Sequence, residues 1–466
     1  MPQILGFGAY VPTYRLPRDV IAREWGQPSL GGEKAVANHD EDSLTLAVNA
    51  ALNCLPAEAP PVLDAVFFAS TTSPYREKSA ASTIAAALDC GAQVRTADFT
   101  DSLRASTAAL LAGCDAIAGG AGRVLVCTGD CRLGEPDSIA EQNYGDAGAA
   151  ILLGREGGIA EVIATHSVSA DFHGTWRTDD QDFLHAFPGA FETKFGHARF
   201  IRDAVAGALK KAGVTPQQIA LAVVAGPNPR AAQGSAKALG FDPKTGVADT
   251  LWSTLGDTGC AQPLLLLAGA LERTKPGDML LLASYGDGGD AVLLRATDAI
   301  ASHRVRRRLS QQIESKRTLG SYGKYARFRR LVRKESPGHD LSAPVVMYRE
   351  QKTMLPLYGG KCVQCGAVQF PRRETCIECG HRGLEEQKLS RRGSVFTFTH
   401  DFIYEAPDTP VTHAVIELEG GGRVYVQLTD CDAERVEIDL PVELTFRVVH
   451  TGSGLKNYFW KARPAL

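Results

Sequence analysis

The chain lacks a long apolar run. No segment of its 466 residues approaches the roughly 20 consecutive apolar positions a membrane-spanning helix needs. Met1 to Tyr14 shows no basic stretch followed by an apolar core and a small-residue cleavage site. No secretory leader is therefore expected, and the cytoplasm is the expected compartment. A strong charge of either sign is missing as well. The formal net charge of -3 gives no global attraction to nucleic acid or to a membrane surface. An even cysteine set is also absent. Of eleven cysteines, four cluster near the C-terminus and seven are scattered, which suits one metal site in a reducing compartment better than a disulfide framework.

What is present is repetition. Ser43 to Cys54 has apolar residues at helical spacing and is followed, after a short linker, by the strand-like run Ala65 to Ala69. The helical pattern Phe200 to Ala212, the linker Gly213 to Gln218 and the run Ala220 to Ala225 restate that phrase. A small-residue helix at Thr107 to Ala118 precedes the strand Arg123 to Cys127, and Gln262 to Leu271 precedes Met279 to Ala283 in the same way. Each half closes on one motif: Tyr144-Gly-Asp-Ala-Gly-Ala-Ala-Ile-Leu-Leu in the first, Tyr285-Gly-Asp-Gly-Gly-Asp-Ala-Val-Leu-Leu in the second. Continuous apolar strands alternating with helices imply sheets covered on both faces, here two sheets sharing a central pair of helices.

The C-terminal third reads differently. Cys362-x2-Cys365-x10-Cys376-x2-Cys379 has zinc-ribbon spacing. Four thiolates complete a tetrahedron and leave no position for water, so the expected role of the Zn2+ is structural. Short alternating strand patterns follow at Gly393 to Thr399, His413 to Leu418, Arg423 to Leu428 and Pro441 to Val449, consistent with a small OB-type barrel. OB barrels also bind single-stranded nucleic acid, but the mixed charge of this module does not favour that reading. Between the two parts, residues 304–334 hold twelve Lys or Arg against one acid, Glu314, with Tyr322, Tyr325 and Phe328 interleaved. The stretch is either a solvated basic linker or a cationic rim for phosphates.

Gly6-Phe-Gly-Ala-Tyr-Val-Pro, Gly32-Glu-Lys-Ala-Val-Ala-Asn-His-Asp-Glu-Asp-Ser and Ser284-Tyr-Gly-Asp-Gly, set in repeated halves, resemble hydroxymethylglutaryl-CoA synthase of the archaeal and bacterial type over residues 1 to about 335. Leu357-Tyr-Gly-Gly-Lys-Cys, Gln369-Phe-Pro-Arg-Arg and Tyr458-Phe-Trp-Lys-Ala-Arg-Pro resemble the ribbon–OB family of acyl-CoA-associated proteins, which accompany thiolase-fold subunits. The resemblance implies an α/β, five-layered αβαβα thiolase fold, a homodimer, and a tunnel for a coenzyme A thioester ending between the halves. The expected domains are the two thiolase-like halves, 1–165 and 166–300, a basic linker, 301–345, a zinc ribbon, 346–390, and an OB-fold, 391–466. The linker's Arg327, Arg329 and Arg330 are the candidate phosphate partners of the CoA.

The synthase family works with a glutamate, an acylated cysteine and a histidine. Aligned on the family's motifs, this chain has Thr71 in the glutamate loop, Leu103 in Asp98-Phe-Thr-Asp-Ser-Leu-Arg where the cysteine belongs, and Ala225 in Val224-Ala-Gly-Pro-Asn where the histidine belongs. Leucine cannot carry an acyl group, so a working synthase of this type is not expected. The polar residues left by loop position are Tyr75, Asn228, Asp257, Cys260, His185 and His197, with Ser102 one residue before Leu103. Cys260, in Gly256-Asp-Thr-Gly-Cys-Ala, is the second-half counterpart of the lost nucleophile, and a small buried core residue is the plain alternative. Asp146 and Asp287 are expected to support backbone turns. Three activities stay open. They are carbon–carbon bond chemistry by Tyr75, His197 or Asp257, acyl transfer or hydrolysis by Cys260 or Ser102, and a non-catalytic CoA-binding scaffold serving a separate thiolase partner.

Overall fold

Most of the apolar runs in the first 300 residues become strands buried on both faces. The computed structural model describes residues 1–56, 60–187, 189–332, 343–403 and 406–465. It divides into two units, one comprising Met1–Ala37, Asp42–Ala85 and Cys90–Tyr325, the other Asn38–Glu41, Ala86–Asp89 and Ala326–Leu466.

The first unit is built on nine strands: β1 (Gln3–Tyr10), β2 (Ala65–Ala69), β3 (Arg95–Phe99), β4 (Arg123–Cys131), β5 (Asp146–Gly154), β6 (Ala160–Ser169), β7 (Leu221–Val224), β8 (Met279–Tyr285) and β9 (Gly288–Ala296). Their order in space is β7-β8-β9-β6-β1-β5-β4-β2-β3. The halves repeat strand for strand. β2 runs parallel to β4 as β7 does to β8, and β5 runs antiparallel to β1 as β9 does to β6. β3 has a vestigial counterpart in Val247, which makes a single parallel bridge to Ala222 of β7. The two expected sheets meet at their lead strands, where Gln3 pairs with Glu161 and Ile4 with Ala160. One edge of β1 is taken by β5 and one edge of β6 by β9, so the two remaining edges satisfy each other.

Helices complete the layers. α1 (Ser43–Cys54) covers the first half-sheet and starts in a capping box between Asp42 and Thr45. It lies unusually close to the strands: a Cβ at Gly8 would stand 2.4 Å from the Ala50 carbonyl oxygen, and one at Gly129 2.0 Å from that of Ser43. α2 (Ala105–Ala118) and α4 (Gln262–Leu271) form the central layer and bury Leu110, Ile117 and Leu264 to Leu267 in one apolar cluster. α3 (Ala198–Ala212) covers the second half-sheet and ends at Gly213, whose φ of 65° suits a residue without a side chain. Outer helix, half-sheet, helix pair, half-sheet and outer helix make the αβαβα sandwich.

In the second unit, β10 (Tyr358–Cys362) is flanked by β11 (Val368–Gln369) and β12 (Leu384–Lys388) in a small antiparallel sheet. β13 (Arg392–Asp401), β14 (Val411–Leu418), β15 (Arg423–Gln427), β16 (Pro441–Gly452) and β17 (Leu455–Pro464) follow in the order β15-β14-β13-β16-β17. A parallel bridge from Leu428 to Ala462 closes this sheet into a barrel around Val395, Ile416, Phe446 and Trp460. The basic stretch forms two short helices, Leu309–Glu314 and Tyr322–Phe328, while Arg333 and Lys334 lie outside the described residues. No helix among the described residues is long and apolar enough to cross a membrane.

Candidate functional site

In the first unit the C-terminal ends of β2 and β4, the turn into α2, the β8–β9 turn and the insertion after β6 surround a cavity of about 730 Å³. Its first wall is the loop after β2. The buried Asp130 carboxylate at the end of β4 accepts from the Thr71 N–H at 3.1 Å, the Thr71 hydroxyl at 2.8 Å and the Thr72 hydroxyl at 2.6 Å. Those hydroxyls are thereby committed to holding the loop.

The second wall is the approach to α2, where Ser102 and Leu103 line the cavity. The β8–β9 turn comes so near that a Cβ on Gly286 would stand 2.9 Å from Ser102 Oγ and 3.0 Å from the Leu103 nitrogen. Glycine is what lets this turn close on the start of α2. Arg104 secures the corner from outside with an ion pair to Asp290 at 3.1 Å, and Thr107 donates to the same carboxylate at 2.6 Å.

The floor holds charges that the sequence did not single out. Arg132 pairs with Asp257 at 3.1 Å and stacks over the Tyr144 ring at 4.2 Å. Glu192, only 6% exposed, lines the cavity and accepts a hydrogen bond from the Tyr285 hydroxyl. Burial pushes the Glu192 carboxyl above its ordinary range, against the pull of Arg132. Burial also raises the Tyr285 phenol, and the neighbouring Glu192 adds to the rise. Two glycines leave room for the pair, since a Cβ at Gly174 would stand 2.7 Å from the Tyr285 oxygen and one at Gly196 2.5 Å from it. Glu192 begins a π-helical turn, Glu192–His197, a form of backbone that recurs at functional sites.

The residues singled out from sequence are dispersed. Thr71, Tyr75, Ser102, Leu103 and Asp287 line the cavity. Asp287 adopts a left-handed φ of 49°, and its carbonyl accepts from the Ala170 N–H at 3.1 Å. Asp146 accepts from the Ala37 N–H at 2.7 Å. Asp257 sits behind the wall as the partner of Arg132 and accepts from the Gly259 N–H at 2.9 Å. Cys260 is 0% exposed, and burial pushes its thiol well above the ordinary range. His197 is buried with one ring nitrogen 2.9 Å from the Ala225 carbonyl and the other 3.1 Å from the Ser235 hydroxyl. Burial lowers its pKa, against the opposing hydrogen bond to the Ala225 carbonyl. Asn228 caps the helix Pro229–Ala238 by accepting from the Ala231 N–H, and His185 is exposed beside Trp176. Neither Cys260, His197 nor Asp257 is among the described residues lining the cavity.

Glu192, Arg132 and Tyr285 are the residues missed. Tyr285 opens the motif that repeats between the halves, which was a visible signal. Glu192 had one too, as the acid in an aromatic-rich insertion bounded by Phe187 and Phe195.

In the second unit the Sγ atoms of Cys362, Cys365, Cys376 and Cys379 all lie within 4.8 Å of one another, with 3.7 Å between Cys362 and Cys379 and 3.6 Å between Cys365 and Cys376. Tetrahedral zinc with bonds of about 2.3 Å sets its sulfurs roughly 3.8 Å apart, so the thiolates fit the ion and fill its coordination. A cavity of about 280 Å³ in this unit is lined by Arg327 and Arg330, together with His39 and Lys461. Arg329 is not among the described residues that line it.

The fold and these two sites define a thiolase-type αβαβα protein carrying a structural zinc ribbon and an OB barrel. Over 347 residues the chain is 33% identical to hydroxymethylglutaryl-CoA synthase of Aeropyrum pernix, covering 70% of this chain and 93% of that protein. Over 342 residues it is 30% identical to the synthase of Methanopyrus kandleri, covering 71% and 97%. The chain belongs to the hydroxymethylglutaryl-CoA synthase family. Residues 209–295 match the family described as 3-oxoacyl-[acyl-carrier-protein] synthase III C terminal. Residues 357–385 match the rubredoxin-like zinc ribbon domain of ChsH2, and 386–447 its C-terminal OB-fold domain. Among solved structures, an HMG-CoA synthase complexed with CoA superposes with a TM-score of 0.66 at 19% identity, covering 73% of this chain and 94% of that one. The curacin-pathway HMG synthase with holo donor-ACP gives 0.64 at 17%, covering 82% and 99%. Both likenesses are of fold.

Proposed function

We propose that the first unit acts on a coenzyme A thioester, making or breaking a carbon–carbon bond by acid–base chemistry without an acyl-cysteine, and that it is not a working hydroxymethylglutaryl-CoA synthase. The observation behind this reading is the cavity lining. It offers Thr71 and Leu103, which we read as standing at the family's glutamate and cysteine positions, no thiol among its described residues, and a buried Glu192–Tyr285 pair beside Arg132. Family membership and a relative bound to CoA support the thioester as substrate.

In the cleaving direction, the Glu192 carboxylate takes the proton of a 3-hydroxyl group. The C2–C3 bond breaks as C3 becomes a carbonyl, and its electron pair moves onto the thioester as an enolate. A cation lining the cavity, the Arg132 guanidinium, stabilises that oxygen. The proton held by Glu192 returns to C2 through the Tyr285 hydroxyl. The reverse sequence forms the bond. Arg327 and Arg330, exposed in a cavity of the second unit, are our candidates for binding phosphate groups. We further read the chain as a cytoplasmic homodimer able to work with a thiolase partner, with domain boundaries near residues 165, 300, 345 and 390.

The test is mass spectrometry of the full chain and its Cys260→Ala variant after incubation with acetyl-, acetoacetyl- and 3-hydroxyacyl-CoAs. Cleavage or condensation products without a protein adduct, unchanged in the variant, are expected. An acyl adduct on Ser102 or Cys260 replaces the reading with acyl transfer. Thioester binding with neither product nor adduct replaces it with a non-catalytic scaffold.

A further inference from the structure

The insertion that covers the cavity is a chain of aromatic rings leading from the cavity wall to solvent. Phe172 and Trp176 line the cavity. Phe172 stacks on Phe191 at 5.4 Å, Trp176 meets Phe187 at 5.1 Å, and Phe191 meets Phe187 at 6.1 Å and Phe195 at 5.3 Å. The outer three are unusually open for phenylalanine: Phe187 is 49% exposed, Phe191 45% and Phe195 50%. Burying such rings is favourable, so a contiguous set left in water marks a surface that something covers.

Three observations point to what covers it. The ring chain is continuous with the cavity through Phe172 and Trp176, so a molecule seated in the cavity can extend onto it. Glu192 sits in the same turn, between Phe191 and Phe195, and points into the cavity while those rings remain open. Acids outnumber bases in the cavity lining, where Asp101, Asp171, Asp182 and Asp287 stand beside Arg177 and an Arg76–Asp179 ion pair at 3.3 Å, and this excess disfavours an acyl group ending in a carboxylate. We infer that the substrate's acyl group is large, uncharged and apolar, with an aromatic end that lies on the Trp176–Phe187–Phe191 surface. This rests on the thioester reading above and adds the class of acyl group.

The test is calorimetric titration of the full chain with 3-hydroxy-3-phenylpropanoyl-CoA and with 3-hydroxybutanoyl-CoA, repeated on the Phe187→Ser/Phe191→Ser double variant with light scattering for particle mass. The aromatic thioester is expected to bind about tenfold more tightly than the short one, and the double variant to remove that preference while holding the short thioester as before. Equal affinities in the unaltered chain overturn the inference, as does a variant that weakens both thioesters alike. A changed particle mass with the preference intact overturns it too, and makes the rings an interface between copies. Preferential binding without turnover keeps this inference and removes the acid–base chemistry. Turnover of the short thioester without preference does the reverse, and no binding of either removes both.

Discussion

Glu192 is the residue on which the proposed chemistry turns, and its environment sets a pH signature. A carboxyl whose folded pKa is raised by burial gains its base form only above the ordinary glutamate range. Activity should therefore rise with pH along a limb displaced upward from about 4.3, the unperturbed value. Glu192→Gln should remove that limb and lower kcat by about 10²- to 10⁴-fold, the usual worth of a positioned base. A pH–rate profile of both proteins checks it, and a limb unaltered by the substitution assigns the base elsewhere. The stability linkage has the opposite sense. Because the folded state favours the protonated carboxyl, the stabilisation is complete below the unfolded pKa and lost as pH rises through the folded one. None of this was readable at position 192 in the sequence, where one glutamate among 53 acids has no mark of burial. The aromatic neighbours were the only local hint.

At the scale of elements, the barrel shows how magnitudes separate charges that look alike in a sequence. Arg447 on β16 is fully buried and pairs with Asp40 at 3.0 Å, with Glu41 at 2.7 Å and with Asp430, while Lys461 on β17 pairs with Asp40 at 2.9 Å. Burial alone would raise the Asp40 pKa, but Lys461 and Arg447 outweigh it and hold the carboxyl far below its usual range. That stabilisation is present above the unfolded pKa of about 3.9 and disappears as pH falls through the folded value. Arg447→Met strips one cation from three buried carboxylates and should cost about 3–5 kcal/mol. The exposed pair Arg423–Glu417 offers the control, since Glu417→Gln should change stability by less than about 1 kcal/mol. Urea melts followed by the fluorescence of the buried Trp460 compare the two, and equal losses would show that burial does not set the value of these pairs. The strands themselves were legible from alternation, as at β14, found at Val411–Leu418 where the pattern predicts His413 to Leu418. The network was not, because Arg447 occupies an apolar-flanked strand position and two of its partners, Asp40 and Glu41, lie about 400 residues away.

At the scale of the whole molecule, the first unit and the zinc ribbon are held by different forces. The first buries its own large apolar core, whereas the ribbon's core cluster is little more than Cys362, Cys376 and Leu384. Zinc should supply most of the ribbon's stability. Chelation should accordingly raise hydrogen exchange across Tyr358–Lys388 while the strands of the first unit stay protected; loss of protection in both at once would contradict it. Local order determined much of this protein. The repeated halves, the sandwich of layers and the CxxC pairs follow from periodicity and spacing, because a helix face, a strand run and a metal knuckle are each written within a few consecutive residues. Only the tertiary structure decided the candidate site. It withdrew His197 and Cys260 into hydrogen bonds and core, and brought Glu192, Arg132 and Tyr285 to one floor, because burial and charge pairing depend on which distant segments fold against each other.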